Sequence, residues 1–150
     1  MSFIDAAYLR KTDVRGGEIV YCRHKTHRTM AIGVNTHIQG LIAKYSAQDS
    51  PYLLPILGTA GDATRLQYES ALRRVNNALK RIAVIANLPV NLTTYTARHS
   101  WATIAKFKGI ATSVISDALG HDSEKTTQIY LASISISEIN RANDLILAGL

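Results

Sequence analysis

Apolar residues at Tyr68, Leu72, Val75, Leu79, Ile82 and Ala86 recur three or four positions apart, while Arg65, Arg73, Arg74, Lys80 and Arg81 fall mostly off that line. The pattern predicts a long amphipathic helix, capped by Asp62 or Thr64 and ended near Asn87 by Leu88-Pro89. A shorter stripe of Ile38, Leu41, Ile42 and Tyr45 predicts a helix over 36–45, and residues 3–10 read as a short one. Between these the texture changes. Arg15-Gly16-Gly17 marks a turn, Ile19, Val20 and Tyr21 lead into Cys22-Arg23-His24-Lys25, and Thr26-His27-Arg28 reverses the chain before Thr29-Met30-Ala31-Ile32. Two or three short antiparallel strands follow from this, with Lys25 at a hairpin tip.

The segment from Ser50 to Gly61 is a loop, punctuated by Pro51, Pro55, Gly58 and Gly61. A helix over about 95–108 is stopped by Gly109, and Thr112 or Ser113 caps a short helix that ends at Gly120. Asp122 or Ser123 caps the next, which carries Tyr130. Ser137 opens a last amphipathic helix with Ile139, Ala142, Leu145 and Ile146 on one side. The predicted fold class is α+β, mostly helical, with one small antiparallel sheet near the N-terminus.

The chain has 150 residues, 47% of them hydrophobic, enough for one packed domain and too few for two full ones. A net charge of +6 favours a polyanionic partner, nucleic acid first and an anionic membrane surface second. Cys22 is the only cysteine, so no intrachain disulfide forms, and a reducing, cytoplasmic setting fits. No apolar run is long enough for a spanning helix. Met1 to Leu9 enters an apolar helical pattern with no lead-in, from which we expect 1–150 to be a single domain cut from a longer protein.

Three segments carry the chemistry: Thr94-Tyr95-Thr96-Ala97-Arg98-His99-Ser100-Trp101-Ala102-Thr103, then Leu119-Gly120-His121, then Thr126-Thr127-Gln128-Ile129-Tyr130. In this order and spacing they resemble the tyrosine recombinase family of phage- and transposon-type integrases, and the strand region around Lys25 matches as well. The resemblance implies the catalytic-core fold of DNA breaking-rejoining enzymes. It also implies site-specific recombination through a 3′-phosphotyrosyl bond at Tyr130, with the freed 5′ hydroxyl of a second strand reversing the step. Neither a metal nor a nucleotide cofactor is implied. The implied partners are double-stranded DNA and further recombinase protomers, with no membrane and no small-molecule substrate. An N-terminal domain that clamps DNA in relatives would precede this chain.

Each residue suits its implied task. Arg98 offers a permanently charged planar fork to a phosphate whose non-bridging oxygens gain charge. His121 follows a helix-stopping glycine and can donate to phosphate or move the nucleophile's proton. Tyr130 is the implied nucleophile, a phenol that needs cationic neighbours to ionise. Lys25 resembles the hairpin lysine that protonates the departing 5′ oxygen, with simple charge neutralisation as the competing reading. Tyr95 stands where most members carry histidine; it can hydrogen-bond phosphate but carries no positive charge, and a packing role competes. The family's first arginine sits three residues before an acidic residue, and if that residue is Asp5 its place holds Ser2. His99 reads as structural support.

Arg23, Arg73, Arg74, Lys80 and Arg81 are candidates to contact the DNA backbone, against the plainer reading of solvated surface. His24, His27 and His37 lack the cysteine or carboxylate pattern of a metal site. Three rival functions stay in view. Residues 112–130 also read as helix, turn, helix, so a non-catalytic DNA-binding module is one; type IB topoisomerase-like strand relaxation is the second. A structural interaction domain is the third. The last helix, about 138–148, packs in cis or reaches a neighbouring protomer in trans.

Overall fold

The computed structural model describes residues 1–46, 49–58 and 65–131. The chain forms two compact units, Met1–Trp101 and a second that begins at Ala102.

In the first unit, helix α1 (Phe3–Tyr8) is opened by Ser2, whose side chain and that of Asp5 bond reciprocally to each other's backbone as a capping box. A 3-10 turn at Lys11–Asp13 leads into β1 (Val14–Arg15), β2 (Glu18–Cys22) and β3 (Thr29–Gly33). These form an antiparallel sheet in the order β1-β2-β3. Gly16 and Gly17 join β1 to β2 with φ of 57° and 81°, both left-handed. A two-residue hairpin turn matching the strand twist needs that at both positions, and glycine adopts it without steric cost. The alternation along β2 buries Ile19 and Tyr21 opposite Ile32 and Met30 on β3. With Leu9 and Leu53, Ile19, Tyr21 and Met30 form the first core cluster.

The expected loop after Ser50 is irregular but not superficial. Tyr52, Leu53 and Leu57 are each no more than 5% exposed. The segment is laced to the end of α1 by Leu53 N–H to the Leu9 carbonyl (2.7 Å) and Lys11 N–H to the Pro51 carbonyl (3.0 Å). Helix α2 (Thr36–Tyr45) occupies the predicted span, capped by Asn35. It packs Ile38 and Ile42 against the sheet cluster and leaves Leu41 and Tyr45 exposed.

Helix α3 (Arg65–Ile85) is the predicted long helix; the expected caps Asp62 and Thr64 lie outside the described residues. Its buried positions are Ala71 and Ala83, with Tyr68, Leu72, Val75 and Leu79 half-buried. Ile82 and Ala86 are exposed, so the apolar stripe departs from its predicted line in the last turn. There the helix closes with Leu88 N–H on the Ala83 carbonyl and Asn87 at φ 51°. Helix α4 (Thr94–Phe107) starts with Thr94 N–H on Asn76 Oδ1 of α3 (2.9 Å) and stops at Gly109, φ 75°.

In the second unit, α5 (Thr112–Leu119) and α6 (Glu124–Tyr130) enclose a core of Ala102, Ala105, Ile115, Leu119 and Leu131. Neither Thr112 nor Ser113 caps α5. Its N-cap is Ala111, which has no side-chain oxygen to offer, and Thr112 is already helical. Gly120 ends α5 in the left-handed conformation, as expected, and Ser123 rather than Asp122 caps α6. The predicted helix from Ser137 lies outside the described residues.

Candidate active site

Arg98 comes from α4, its side chain in the interior with 9% of the residue exposed. In the same unit Asp5, on the α1 turn, is 3% exposed. The Asp5 carboxylate accepts from Ser2 Oγ (2.5 Å), from His24 N–H (2.9 Å) and, at 3.4 Å, from Ser2 N–H. It also pairs with Arg23 Nε at 3.8 Å. Burial alone would push the Asp5 pKa up, but these hydrogen bonds and the Arg23 charge outweigh it and hold the carboxyl below its ordinary value. Tyr21, beside this group, is pushed up by burial and by the Asp5 charge, while Arg23 and Arg98 both pull the other way. Asp5, Tyr21, Arg23 and Arg98 thus share one buried electrostatic environment in the first unit.

Tyr95, one helical turn before Arg98, is 56% exposed, with its ring edge against His99 at 4.5 Å. Partial burial, then the Arg98 charge, lowers the His99 pKa, which favours a neutral imidazole.

Lys25 is exposed in the β2–β3 hairpin loop, as predicted. That loop is closed at its root by Arg23 N–H to the Arg28 carbonyl (3.0 Å) and His27 N–H to the Arg23 carbonyl (2.9 Å). His27 takes the left-handed conformation, φ 53°, that reverses the chain. Two residues from Lys25, Arg23 is only 6% exposed. It is not a surface cation but the buried partner of Asp5.

His121 belongs to the second unit. Its N–H bonds the Ser116 carbonyl (3.0 Å) across Gly120, a helix-closing pattern that turns the residue out of α5. Its Nδ1 lies 2.8 Å from Oγ1 of Thr127, a fully buried residue of α6. The ring is thereby held against the helix that carries Tyr130, one turn before it. The Tyr130 backbone ends α6; its side chain lies outside the described part of the chain.

The expected basic face of α3 is present: Arg73, Arg74, Lys80 and Arg81 are exposed. Arg73, Arg74 and Arg81, with Ser70, Asn77 and Ala78, line a groove of about 550 Å³. Among the described residues no cluster of histidine, cysteine or carboxylate side chains is arranged to hold a metal, and no helix is long and apolar enough to cross a membrane.

Two residues of this arrangement were not singled out by the sequence. Asp5 stood only as a marker for its neighbour's place, although it accepts three hydrogen bonds and pairs with Arg23. Thr127 read as an ordinary helix threonine. The sole hint for Thr127 was its position six residues after His121, a separation that carries no signal of contact without the fold.

The sequence profile of the phage integrase family matches residues 5–135. The chain is 31% identical over 114 residues to the tyrosine recombinase XerC of Bradyrhizobium diazoefficiens, covering 76% of this chain and 35% of that protein. It is 29% identical over 134 residues to XerC of Nitrobacter winogradskyi, covering 84% of this chain and 40% of that one. The chain therefore spans well under half the length of these curated relatives. Among solved structures it is similar to XerA recombinase, with a TM-score of 0.69 and 19% identity over 96% of this chain and 52% of that one. It is likewise similar to the XerH site-specific recombinase bound to palindromic difH substrate in a post-cleavage complex, with a TM-score of 0.66 and 22% identity over 93% and 40%. These structural likenesses establish the fold.

Proposed function

The chain belongs to the phage integrase family, and on that premise we propose that it cuts and rejoins DNA at specific sites through a covalent bond to Tyr130. The Tyr130 phenolic oxygen attacks a backbone phosphorus, the bond to the 5′ oxygen breaks, and a 3′-phosphotyrosine forms. Lys25 gives its proton to the departing 5′ oxygen; His121 takes the phenol's proton or donates to a non-bridging oxygen. Arg98 stabilises the charge that grows on the phosphate, and Tyr95 helps position it. A 5′ hydroxyl from the partner strand then attacks the phosphotyrosine and releases the enzyme, so the ester bond energy is conserved.

The observation that carries this reading is the hydrogen bond of His121 Nδ1 to Thr127. It commits Nδ1 to α6 and holds the imidazole on the helix that bears the nucleophile. Arg98 supports it: a buried guanidinium is costly to maintain, and a phosphate-binding role accounts for it. The exposed cations of α3 then follow the DNA backbone outside the site, and further protomers assemble on the paired DNA sites. With its single cysteine and its DNA substrate, the protein acts in the cytoplasm.

The test is covalent capture on a nicked suicide substrate. The unaltered protein gives a DNA adduct that survives denaturant, Tyr130→Phe gives none while binding DNA with nearly unchanged affinity, and Arg98→Ala slows capture far more than it weakens binding. An adduct formed by Tyr130→Phe would refute the nucleophile. A non-catalytic DNA-binding module would give no adduct in any form.

A further inference from the structure

Asn77 stands exposed in the middle of α3, among the residues that line the basic groove. On a helix surface the neighbours of a residue lie three and four positions away on either side. For Asn77 these are Arg74 and Lys80, then Arg73 and Arg81, and all four are exposed cations. No acidic side chain interrupts them. Glu69, the only acid of the helix, bonds Arg65 at 2.7 Å, ahead of the patch. Among the described residues none of the four cations forms an ion pair. One neutral amide is thus centred in a ring of uncompensated positive charge.

Asparagine is a poor residue for a helix interior, because its amide competes with the backbone for hydrogen bonds. The preceding Asn76 has a structural use: its Oδ1 accepts the N–H of Thr94 at 2.9 Å and starts α4. The Asn77 amide has none, since its side chain makes no hydrogen bond among the described residues. Ser70 and Ala78 beside it in the groove are short, so the amide stays open to approach. Arg73, Asn77 and Arg81 form one row at four-residue spacing, with the outer two about 12 Å apart along the axis. The major groove of B-DNA is about 12 Å wide, with phosphates along both sides and base edges on its floor. Laid across it, such a row sets its arginines against the phosphates and its amide against the bases. Phosphate contacts position a protein and base contacts specify the sequence. Adenine is the base whose N7 acceptor and N6 donor match a carboxamide in two hydrogen bonds.

We propose that Asn77 reads an adenine in the major groove of the target, held in register by Arg73, Arg74, Lys80 and Arg81 on the flanking phosphates. This rests on the recombinase reading above for DNA as the ligand, and it assigns one base of the target sequence to one side chain. An acidic protein surface would suit the four cations but would give the carboxamide at their centre no distinctive task.

The test selects bound sequences from a pool of randomised duplexes, using the protein as its host makes it and then Asn77→Ala. Alanine is the better helix former, so the variant should fold, and thermal melting checks this. The unaltered protein should fix an adenine at a position where replacing the A·T pair weakens binding about 5- to 150-fold. Asn77→Ala should bind the original and the replaced duplex within about twofold of each other. Substituting 7-deazaadenine at that position removes only the N7 acceptor; it should weaken binding by the unaltered protein and leave that by Asn77→Ala unchanged. Arg74→Ala should instead weaken every duplex alike, with a log–log salt slope smaller by about one. The proposal is overturned if Asn77→Ala keeps the adenine preference, if it weakens all duplexes by one factor, or if 7-deazaadenine has no effect. It is also overturned, in favour of an acidic polypeptide partner, if polyglutamate of matched charge outcompetes duplex DNA. Covalent capture separates this inference from the reading beneath it. Adenine discrimination lost in Asn77→Ala, without any adduct from the unaltered protein on a suicide substrate, refutes strand cleavage and leaves Asn77 as the reader. An adduct whose sequence preference ignores Asn77 does the reverse.

Discussion

Thr127→Val replaces one hydroxyl by a methyl group at a position with no solvent exposure, so side-chain shape is kept and one hydrogen bond is lost. The bond runs 2.8 Å to His121 Nδ1. A single neutral hydrogen bond contributes about 1 kcal/mol net. His121 is only partly buried, so water recovers some of the loss at Nδ1 and the cost stays near that figure. For a domain of this size, that lowers the melting temperature by about 2–4 °C. The effect on chemistry should be larger. The bond to Thr127 helps fix the ring orientation, and loss of such an orienting partner typically costs about 10–100-fold. At about 1.4 kcal/mol per decade, the barrier rises by more than the fold loses. The assay is the rate of covalent capture on a suicide substrate, read in a double-mutant cycle with His121→Ala. If Thr127 acts through His121, adding Thr127→Val to His121→Ala should change the rate by less than about threefold. Unchanged capture by the single variant, or the same slowing in both backgrounds, would sink the argument that this hydroxyl positions the imidazole.

Two further outcomes follow from the charges. Asp5→Ala removes the carboxylate paired with the buried Arg23 guanidinium and should destabilise the protein by about 3–5 kcal/mol in chemical denaturation. Because the folded-state pKa of Asp5 lies below its unfolded value, its contribution is complete above the ordinary carboxylate range and drains away as pH falls through the folded value. The stability gap between the natural protein and Asp5→Ala should therefore narrow in acid, and a gap that stays constant would show that Asp5 is not acting as an anion. On α3, Arg73→Ala and Arg81→Ala should each reduce the salt dependence of DNA binding by about one in the log–log slope. An unchanged slope would return those arginines to ordinary solvated surface.

Much of the scaffold could be read without coordinates. Gly16-Gly17 announced a tight turn and adopts two left-handed residues; Gly109 and Gly120 announced helix ends and supply them. The 3- and 4-residue spacing over 36–45 gave a helix of those bounds, and the long basic helix was anticipated to within a few residues. Such signals are local. A left-handed φ, a missing N–H or a capping hydroxyl acts within one turn of the chain, so neighbours in sequence suffice to decide it. Where even local reasoning slipped, as at the start of α5, a residue without a capping oxygen took the N-cap and the expected caps moved inside the helix.

The chemical groups this protein owns, the order in which they follow one another, and the family to which their strings belong are all legible in the amino-acid string. Which charges leave water is set by the packing of the fold. Arg23 looked like any of the surface arginines until the hairpin root set it against Asp5, whose contact to neighbouring His24 spans 19 positions of sequence. The segment after Ser50 looked like solvent-washed loop until Leu53 paired with Leu9. Burial depends on everything that packs around a group at once, and the cost of desolvating a charge is set by partners brought in from distant parts of the chain. Residue spacing along one helix or hairpin carries no record of that.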